Sequence, residues 1–446
     1  MPRLLIVLPL TLVALCTWAV LCFFAVDRGW FRSPLTSSPD PVHFAREIEK
    51  RIDAEAGGNM VFVMIEDGEV IASHSTSKGK PVAADSIFQV ASLSKWVAAM
   101  GVMALAEDGA IDLDAPVSRY LKRWQLPPSA FDNDGVTARR LLSHTAGLDD
   151  GLGYDGFANE EAVQSLEESL DRAADASPNA LESDAEGRVR LAADPGSQWK
   201  YSGGGYTLLQ LLIEEVSGQP FASYMEQRVF APLGMEDSGY RPGALQRTRI
   251  ADNFDADGKP QAYRHYSALA ATALYTSADD LVRLIQAQLP GPGSARQKIL
   301  QPGTLAEMRA PEAHRMGAPV WGLGTMLYSS NNQGGFIIGH DGNNEPAINS
   351  AVRLDPDSGD AIILLGTGNA LLATALGGEW VFWKTGNVDN LDFAMAMPAM
   401  IRWIAIGSVL IVIASIAVSL RRRRRRDERT HDFAPDCWQM AYAGLA

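Results

Sequence analysis

The chain is short of two things, cysteine and positive charge. Of its 446 residues, 3 are cysteines (Cys16, Cys22 and Cys437), and none lies between residues 27 and 397. This excludes a disulfide framework in that stretch, which is compatible with an oxidising compartment. The formal net charge of -14 gives an acidic surface. Because such a surface repels polyanions, the composition argues against nucleic acid as a partner of the folded part.

Internal repeats and the spacing of metal ligands are also missing. No segment recurs at a fixed period, which excludes a solenoid or repeat array. The 7 histidines show no short ligand spacing, so we expect neither a metal site nor another cofactor. A hydrophobic content of 47% and a charged content of 21% are typical of a globular protein with one large or two ordinary domains.

The N-terminal segment is an almost unbroken apolar run over residues 4–26. It is long enough to cross a bilayer and longer than the usual core of a signal peptide. No small-residue cleavage motif follows it, and Leu15 before Cys16 and Leu21 before Cys22 disfavour a lipoprotein signal. The pattern favours an uncleaved transmembrane signal anchor over residues 1–32, with a cleaved signal peptide as the alternative.

A second apolar run spans residues 403–420, and the uninterrupted arginines 421–426 follow it. A basic nucleic-acid-binding tail is one interpretation, but the adjoining apolar run favours a membrane stop with the arginines in the cytoplasm. Residues 1–3 are then cytoplasmic too. We therefore predict a transmembrane helix at 396–420, a basic cytoplasmic tail at 421–446 and an extracytoplasmic domain at 33–395. The domain would lie on the periplasmic side of the cell (inner) membrane, attached at both ends.

The hydrophobic pattern predicts strands near both ends of this domain and helices between them. Helices are predicted at 45–56, 93–106, 206–216, 221–230, 278–289 and 371–382. Strands are predicted at 60–66, 70–74, 336–339, 347–355 and 361–366. Residues 150–195 are polar and acidic and are predicted to form an extended surface segment. The order predicts an α/β fold whose sheet joins both ends of the domain around a mostly helical insert.

Ser92 and Lys95 form an S-x-x-K pattern at the start of the predicted helix 93–106. At i and i+3 they share one helix face, and the helix N-terminus favours developing negative charge. A serine needs a base to act as a nucleophile, and a lysine can serve if burial keeps it neutral. The alternative is an ordinary N-cap serine beside a solvated lysine, since S-x-x-K alone is common by chance.

Further motifs follow in a fixed order. They are L-D-A-P-V at 113–117, L-L-S-H-T-A-G-L at 141–148, Y-S-G-G-G-Y at 201–206, P-L-G-M at 232–235, T-S-A-D-D at 276–280 and G-H-D-G at 339–342. Together with S-x-x-K, this series resembles the serine β-lactamase and penicillin-binding-protein superfamily. It is most similar to the class C β-lactamase-like branch, which includes esterase-like members. The resemblance runs from about residue 45 to residue 382.

The resemblance implies a β-lactamase/transpeptidase-like α/β fold: an antiparallel sheet flanked by helices, plus an all-α subdomain, with the site at their junction. It implies that Ser92 is the nucleophile and that Lys95 and Tyr201 form the proton-transfer pair, without deciding which of the two is the base. His340 stands where the family carries Lys or His, and would bind the tyrosine oxygen or orient the substrate. The alternatives are a buried aromatic at Tyr201 and a structural histidine at His340.

The remaining predicted site residues act through their backbone atoms rather than through their side chains. The backbone N–H groups of Ser92 and Asn343 are expected to form the oxyanion hole. Gly342 is expected to let substrate backbone approach the strand closely. His144, in the motif 141–148, is interpreted as a structural residue that braces the site.

Two departures from the family pattern bear on specificity. Gly203 stands where many relatives have Asn, which removes an amide that would hydrogen-bond an amide-bearing substrate. Residues 384–386 spell K-T-G, the family triplet, but they follow the predicted closing helix and no strand pair comes after them. We therefore reject Lys384 as a site residue.

The sequence thus predicts a membrane-anchored serine hydrolase that forms an acyl-enzyme at Ser92. Its substrate is a small molecule or peptide: a carboxylic ester, a D-amino-acid peptide or a β-lactam. The alternative is a penicillin-binding-like membrane sensor or binding module that acylates with little turnover. The sequence leaves the oligomeric state open.

Overall fold

The computed structural model describes residues 4–150, 153–177, 186–241, 244–289 and 299–431. The chain divides into two units. One is Ser33–Leu391, and the other combines Met1–Arg32 with Asp392–Ala446.

The strands of the main sheet come from both ends of the first unit, as the pattern predicted, and short strands elsewhere form two small sheets. The strands are β1 Met60–Glu66, β2 Glu69–Thr76, β3 Phe88–Gln89, β4 Asn253–Phe254, β5 Pro260–Gln261, β6 Tyr275–Thr276, β7 Ala313–Arg315, β8 Ala318–Trp321, β9 Met326–Ser330, β10 Phe336–Asn344, β11 Ile348–Asp355 and β12 Asp360–Gly366. The strands predicted at 60–66 and 70–74 are β1 and β2, which form an antiparallel hairpin. The strand predicted at 336–339 is longer than expected, because β10 takes in the whole G-H-D-G motif.

The main sheet has 8 antiparallel strands in the order β2-β1-β12-β11-β10-β9-β8-β7. The N-terminal strand β1 therefore lies beside the C-terminal strand β12, with Met60 paired to Gly366. The prediction that the sheet joins both ends of the domain is confirmed. Strand β10 lies between β11 and β9 in the middle of the sheet, and its Gly339 is paired with Arg353 of β11.

Between β2 and β7 the regular structure is mostly helical, and other helices cover the sheet. The helices are α1 Leu4–Asp27, α2 Pro41–Glu55, α3 Leu93–Glu107, α4 Ala138–Leu142, α5 Leu166–Arg172, α6 Gly203–Ser217, α7 Phe221–Met225, α8 Ala231–Leu233, α9 Ala244–Arg249, α10 Leu269–Thr272, α11 Ala278–Ala287, α12 Pro302–Arg309, α13 Leu372–Thr385 and α14 Asn390–His431. One π-helical turn, Glu226–Phe230, continues α7 into α8.

Alternate residues of β1 divide the core into two layers. Val61, Val63 and Ile65 face a large cluster that includes α3, α6 and α11, whereas Phe62 and Met64 face a second cluster with α2 and α13. Both faces of the strand are buried, which explains why it reads as a continuous apolar run rather than as an alternating pattern.

The prediction of an extended surface segment at 150–195 is wrong in part; residues 151–152 and 178–185 lie outside the described part of the chain. Helix α5 forms within it and begins with a capping box made by Ser165 and Glu168. Leu166 and Leu170 are buried in the core. The helix was missed because its apolar positions are few and the acidic residues around them dominate the composition.

The second unit contains α1 and most of α14, two helices that are long and apolar enough to cross a membrane. They pack in antiparallel register. The Thr11 hydroxyl lies 2.9 Å from the Ser415 hydroxyl. Further along, Trp18 Nε1 donates to the Trp403 carbonyl at 3.1 Å. The Phe23 and Phe393 rings lie 5.6 Å apart, and a Cβ at Gly407 would meet the Trp18 ring.

Candidate active site

Ser92 follows a sharp turn between β3 and α3. Ala91, just before it, has a left-handed backbone with φ 48°, which costs an L-residue of order 1–3 kcal/mol and persists only where neighbours enforce it. Val90 supplies that constraint. Its N–H donates to the Leu274 carbonyl at 3.0 Å, and its carbonyl accepts the Ser350 hydroxyl at 2.8 Å. The turn fixes Ser92 at the first residue before the helix.

Lys95 lies one helical turn further on and is 1% exposed. Its Nζ is 3.1 Å from Ser92 Oγ and 2.7 Å from the Ala271 carbonyl oxygen. Burial lowers the pKa of Lys95 to about 7, and the negative charge of Asp150 offsets part of that shift. A substantial fraction of Lys95 is therefore a neutral amine near neutral pH, within reach of the serine proton.

The Tyr201 ring lies beside the same amine, with Lys95 Nζ 4.9 Å from the ring centroid. Tyr201 as a whole is partly exposed, but its phenol is surrounded by protein, and this burial raises the phenol pKa. A hydrogen bond with the Ser92 hydroxyl offsets only part of the rise. Tyr201 is therefore protonated near neutral pH. In this arrangement the lysine is the better proton acceptor and the phenol the better donor.

His144 holds both neighbours of Tyr201. Its carbonyl accepts the Lys200 N–H at 2.9 Å, and its Nδ1 accepts the Ser202 N–H at 3.1 Å. The buried imidazole lies 4.4 Å from the Tyr201 ring. Burial lowers its pKa, so the ring is neutral and carries its hydrogen on Nε2. These contacts agree with its interpretation as a structural residue.

His340 of β10 is 1% exposed and lies beside Trp321, whose ring also contacts Tyr201. Its ring stands perpendicular to Trp321, with centroids 5.3 Å apart. Nδ1 lies 2.5 Å from the Asp341 carbonyl oxygen and donates to it. Burial, together with the Lys95 charge, lowers the pKa of His340 to about 3. It is a neutral imidazole whose Nε2 is an acceptor, and within the described chain that atom has no hydrogen-bond partner.

Gly342 and Asn343 follow on the same strand. A Cβ at Gly342 would lie 2.0 Å from the Val90 carbonyl oxygen, so this glycine lets β10 approach the turn before Ser92. That it also lets substrate backbone approach the strand stays a prediction. The Asn343 side chain donates to the Ala370 carbonyl. Its backbone N–H as part of an oxyanion hole stays a prediction.

Sequence reasoning missed Asp150. Its buried carboxylate accepts the Ser202 hydroxyl and the Gly204 N–H, so it caps the N-terminus of α6 just after Tyr201. Burial raises its pKa, and these two donors offset part of the rise. The signal was present but weak: Asp150 is the second of two acidic residues after the motif 141–148, in a segment that looked like surface.

The two departures noted in the sequence have structural counterparts. A Cβ at Gly203 would lie 3.0 Å from the ring of Tyr154, whose hydroxyl is bound to Thr207 at 2.8 Å. An aromatic ring thus lies against the position where relatives have Asn. Lys384, in turn, pairs with Glu66 at 3.0 Å and lies at the end of α13.

Metal ligands do not converge within the described ranges: no group of three or more His, Cys, Asp or Glu side chains there is arranged to hold an ion. The chemistry available is that of a serine hydroxyl, a neutral amine, a phenol and a neutral imidazole.

Comparisons with known proteins agree with the motif order. Residues 44–380 match the sequence model of the Beta-lactamase family. Esterase EstB of Burkholderia gladioli is 29% identical over 287 residues, 55% of this chain and 67% of that protein. D-alanyl-D-alanine-carboxypeptidase/endopeptidase AmpH of Escherichia coli (strain K12) is 25% identical over 286 residues, 61% of this chain and 68% of that protein.

Among solved structures, the octameric penicillin-binding protein homologue from Pyrococcus abyssi has a TM-score of 0.62 to this chain. The two are 21% identical, and the match covers 81% of this chain and 78% of that one. This likeness concerns the fold alone.

Proposed function

This chain belongs to the β-lactamase family of serine hydrolases, and from that premise we propose that it cleaves esters or amides through an acyl-enzyme on Ser92, in a domain anchored to a membrane. One observation carries the proposal: Ser92 Oγ lies 3.1 Å from the Nζ of the buried Lys95. Burial of the amine supplies the neutral base that a serine nucleophile requires.

In acylation, Ser92 Oγ attacks the substrate carbonyl carbon while its proton passes to Lys95 Nζ. The negative charge then on the carbonyl oxygen is stabilised by the backbone N–H groups of Ser92 and Asn343. The protonated amine and the phenol of Tyr201 deliver a proton to the departing alcohol or amine. The carbon–oxygen or carbon–nitrogen bond breaks, which leaves an ester on Ser92.

Deacylation repeats these steps with water as the nucleophile. Lys95, neutral again, takes a proton from water as the water oxygen attacks the acyl carbon. The proton returns to Ser92 Oγ when the ester bond breaks, and the carboxylic acid leaves. His340 Nε2, which has no partner within the described residues, is free to accept a hydrogen bond from the substrate, or from the Tyr201 hydroxyl once the substrate is bound.

Two features favour an ester over a β-lactam or a D-alanyl peptide. With its lowered pKa, His340 carries no positive charge near neutral pH, so it offers no ion pair to a substrate carboxylate. Gly203 offers no amide for a substrate amide bond, and the Tyr154 ring lies against that position. Relatives include both an esterase and a D-alanyl-D-alanine carboxypeptidase. Of these two activities, we propose that this chain has the first.

Support for membrane anchoring comes from α1 and α14. Both are long and apolar enough to cross a bilayer, and many of their apolar side chains are exposed. Antiparallel packing of the two helices agrees with a topology in which both chain ends lie on one side. With arginines 421–426 on the cytoplasmic side, the hydrolase domain is periplasmic.

The full-length protein in detergent micelles provides the test. It is assayed with a short-chain nitrophenyl ester, a chromogenic cephalosporin and a D-Ala-D-Ala peptide. We expect the ester to be turned over fastest and a fluorophosphonate probe to label Ser92, as mapped by mass spectrometry. Ser92→Ala should lower ester turnover by roughly 10⁴-fold or more.

Two outcomes would contradict the proposal. Unchanged turnover in Ser92→Ala would remove the acyl-enzyme. Labelling of Ser92 without repeated cycles on any of the three substrates would instead favour a membrane sensor that acylates once.

A further inference from the structure

A buried arginine lies behind the strand that carries His340. Arg353 of β11 is 0% exposed, and its guanidinium lies 3.5 Å from the ring centroid of Tyr328. Its Nη1 donates to Asp341, and its Nε donates to Asp389 at 2.8 Å. A charge so far from water must be paired, so the arginine fixes both carboxylates.

Asp341 is held from three elements. Besides Arg353 of β11, its carboxylate accepts the Tyr328 hydroxyl of β9 and the Thr374 hydroxyl of α13, both at 2.6 Å. The backbone carbonyl of the same residue accepts the proton on His340 Nδ1. Because Asp341 is immobilised, it fixes both the orientation of the imidazole and its tautomer, and thereby leaves Nε2 as the acceptor.

Asp389 connects this cluster to the start of α14. Its second carboxylate oxygen accepts the Leu391 N–H at 2.7 Å, so it caps the helix. The next residue, Asn390, donates to the Leu327 carbonyl of β9 at 2.6 Å. The first residues of the C-terminal helix are therefore anchored to the strands that surround His340.

We propose that Asp341, Arg353 and Asp389 are positioning residues for His340, so that the start of the C-terminal helix holds the active-site strand in its working geometry. This inference rests on the proposed role of His340 in the hydrolase. The three residues touch neither substrate nor reacting atoms; they act through the imidazole.

Asp389→Asn in the full-length protein tests the inference, because it removes the charge that pairs with Arg353 but keeps the size of the side chain. We expect kcat for the nitrophenyl ester to fall roughly 10- to 100-fold, with little change in KM, since misplacement of a group by about 1 Å has that effect. In a His340→Ala background, the same substitution should have no further effect on kcat. A merely structural role would lower kcat in both backgrounds.

Asp392→Asn is the matched control. Asp392 lies in the first turn of α14, three residues after Asp389, but its partner is Arg32 rather than Arg353. We expect wild-type turnover from this variant.

The inference is overturned if Asp389→Asn is folded and fully active, or if it lowers kcat by the same factor with and without His340. If Asp389→Asn does not fold, Asp389→Glu keeps the charge, and the same comparison of backgrounds decides. Failure of the proposed function itself is recognised separately, since Ser92→Ala would then retain ester turnover.

Discussion

At the scale of single residues, the neutral amine of Lys95 determines how activity depends on pH. The base must be unprotonated, and its pKa is lowered to about 7. Ester turnover should therefore rise with pH through a single acid limb with a midpoint near 7. The measurement is kcat/KM against pH with a substrate that does not titrate. A flat profile from pH 5 to 9 would contradict Lys95 as the base.

The negative charge of Asp150 influences the midpoint of this acid limb. Its carboxylate raises the pKa of Lys95, while His144 and His340 are neutral near pH 7. In Asp150→Asn the ammonium form loses this stabilisation, so the limb should move to lower pH. The total rate should fall as well, because the cap after Tyr201 is weakened.

The neighbour of Asp150 provides the control for this prediction. Asp149 pairs with Lys200 nearer the surface. Asp149→Asn should leave the midpoint of the limb where it is in the wild type. A limb that does not move in Asp150→Asn would show that the carboxylate acts on the fold alone.

The sequence predicted best which residues lie together in space. The motif order indicated Ser92, Lys95, Tyr201 and His340, and the fold brings all four together. The motif order did not predict the protonation states of these four residues. Those states depend on burial and on Asp150, whose partners are distant in sequence. The contact of Gly342 with Val90 was not predicted either, since it joins residues that are far apart along the chain.

At the scale of elements, the start of α6 is packed against Tyr154. Gly203→Asn would restore the residue type found in many relatives, but the new side chain would meet the Tyr154 ring. We expect the free energy of unfolding to fall by about 1–3 kcal/mol, as in other overpacked sites, with no gain of cephalosporin hydrolysis. Chemical denaturation and the substrate panel measure these two effects.

A double variant shows whether contact with the Tyr154 ring causes the fall in the free energy of unfolding. In Gly203→Asn combined with Tyr154→Ala, the free energy of unfolding should fall by less than the sum of the two single losses, because the asparagine then has space. Additive losses would mean that the glycine is required for its backbone rather than for the contact.

The strands and long helices were predictable because their apolar patterns are long and regular. Helix α5 was not, since it is short and only its packing against α6 and the core makes it stable. Lys384 is the opposite case, because its motif alone would predict a site residue that the structure does not support. Its K-T-G triplet ends α13, where the lysine pairs with Glu66 and Asp360.

At the scale of the whole molecule, the antiparallel pairing of α1 and α14 is open to a direct test. In a variant without native cysteines, Thr11→Cys and Ser415→Cys should form a disulfide on mild oxidation of isolated membranes. The contact between the two hydroxyls, 2.9 Å apart, brings these side chains together. Mass spectrometry of the linked peptides is the readout.

A control pair uses Thr11→Cys with Ser408→Cys. Ser408 lies on the same helix as Ser415 but about 10 Å along its axis, so little cross-linking is expected. Equal yields from both pairs would contradict a fixed register between the helices.

The pairing of β1 with β12 has a consequence for biosynthesis. Met60 and Gly366, which face each other in the sheet, are 306 positions apart in the chain. During synthesis, β1 and β2 leave the ribosome long before β12, the strand that pairs with the other edge of β1. Until then β1 presents an unpaired, apolar edge of the kind that aggregates. Formation of the complete sheet therefore waits until β12, its last strand in the sequence, has been synthesised.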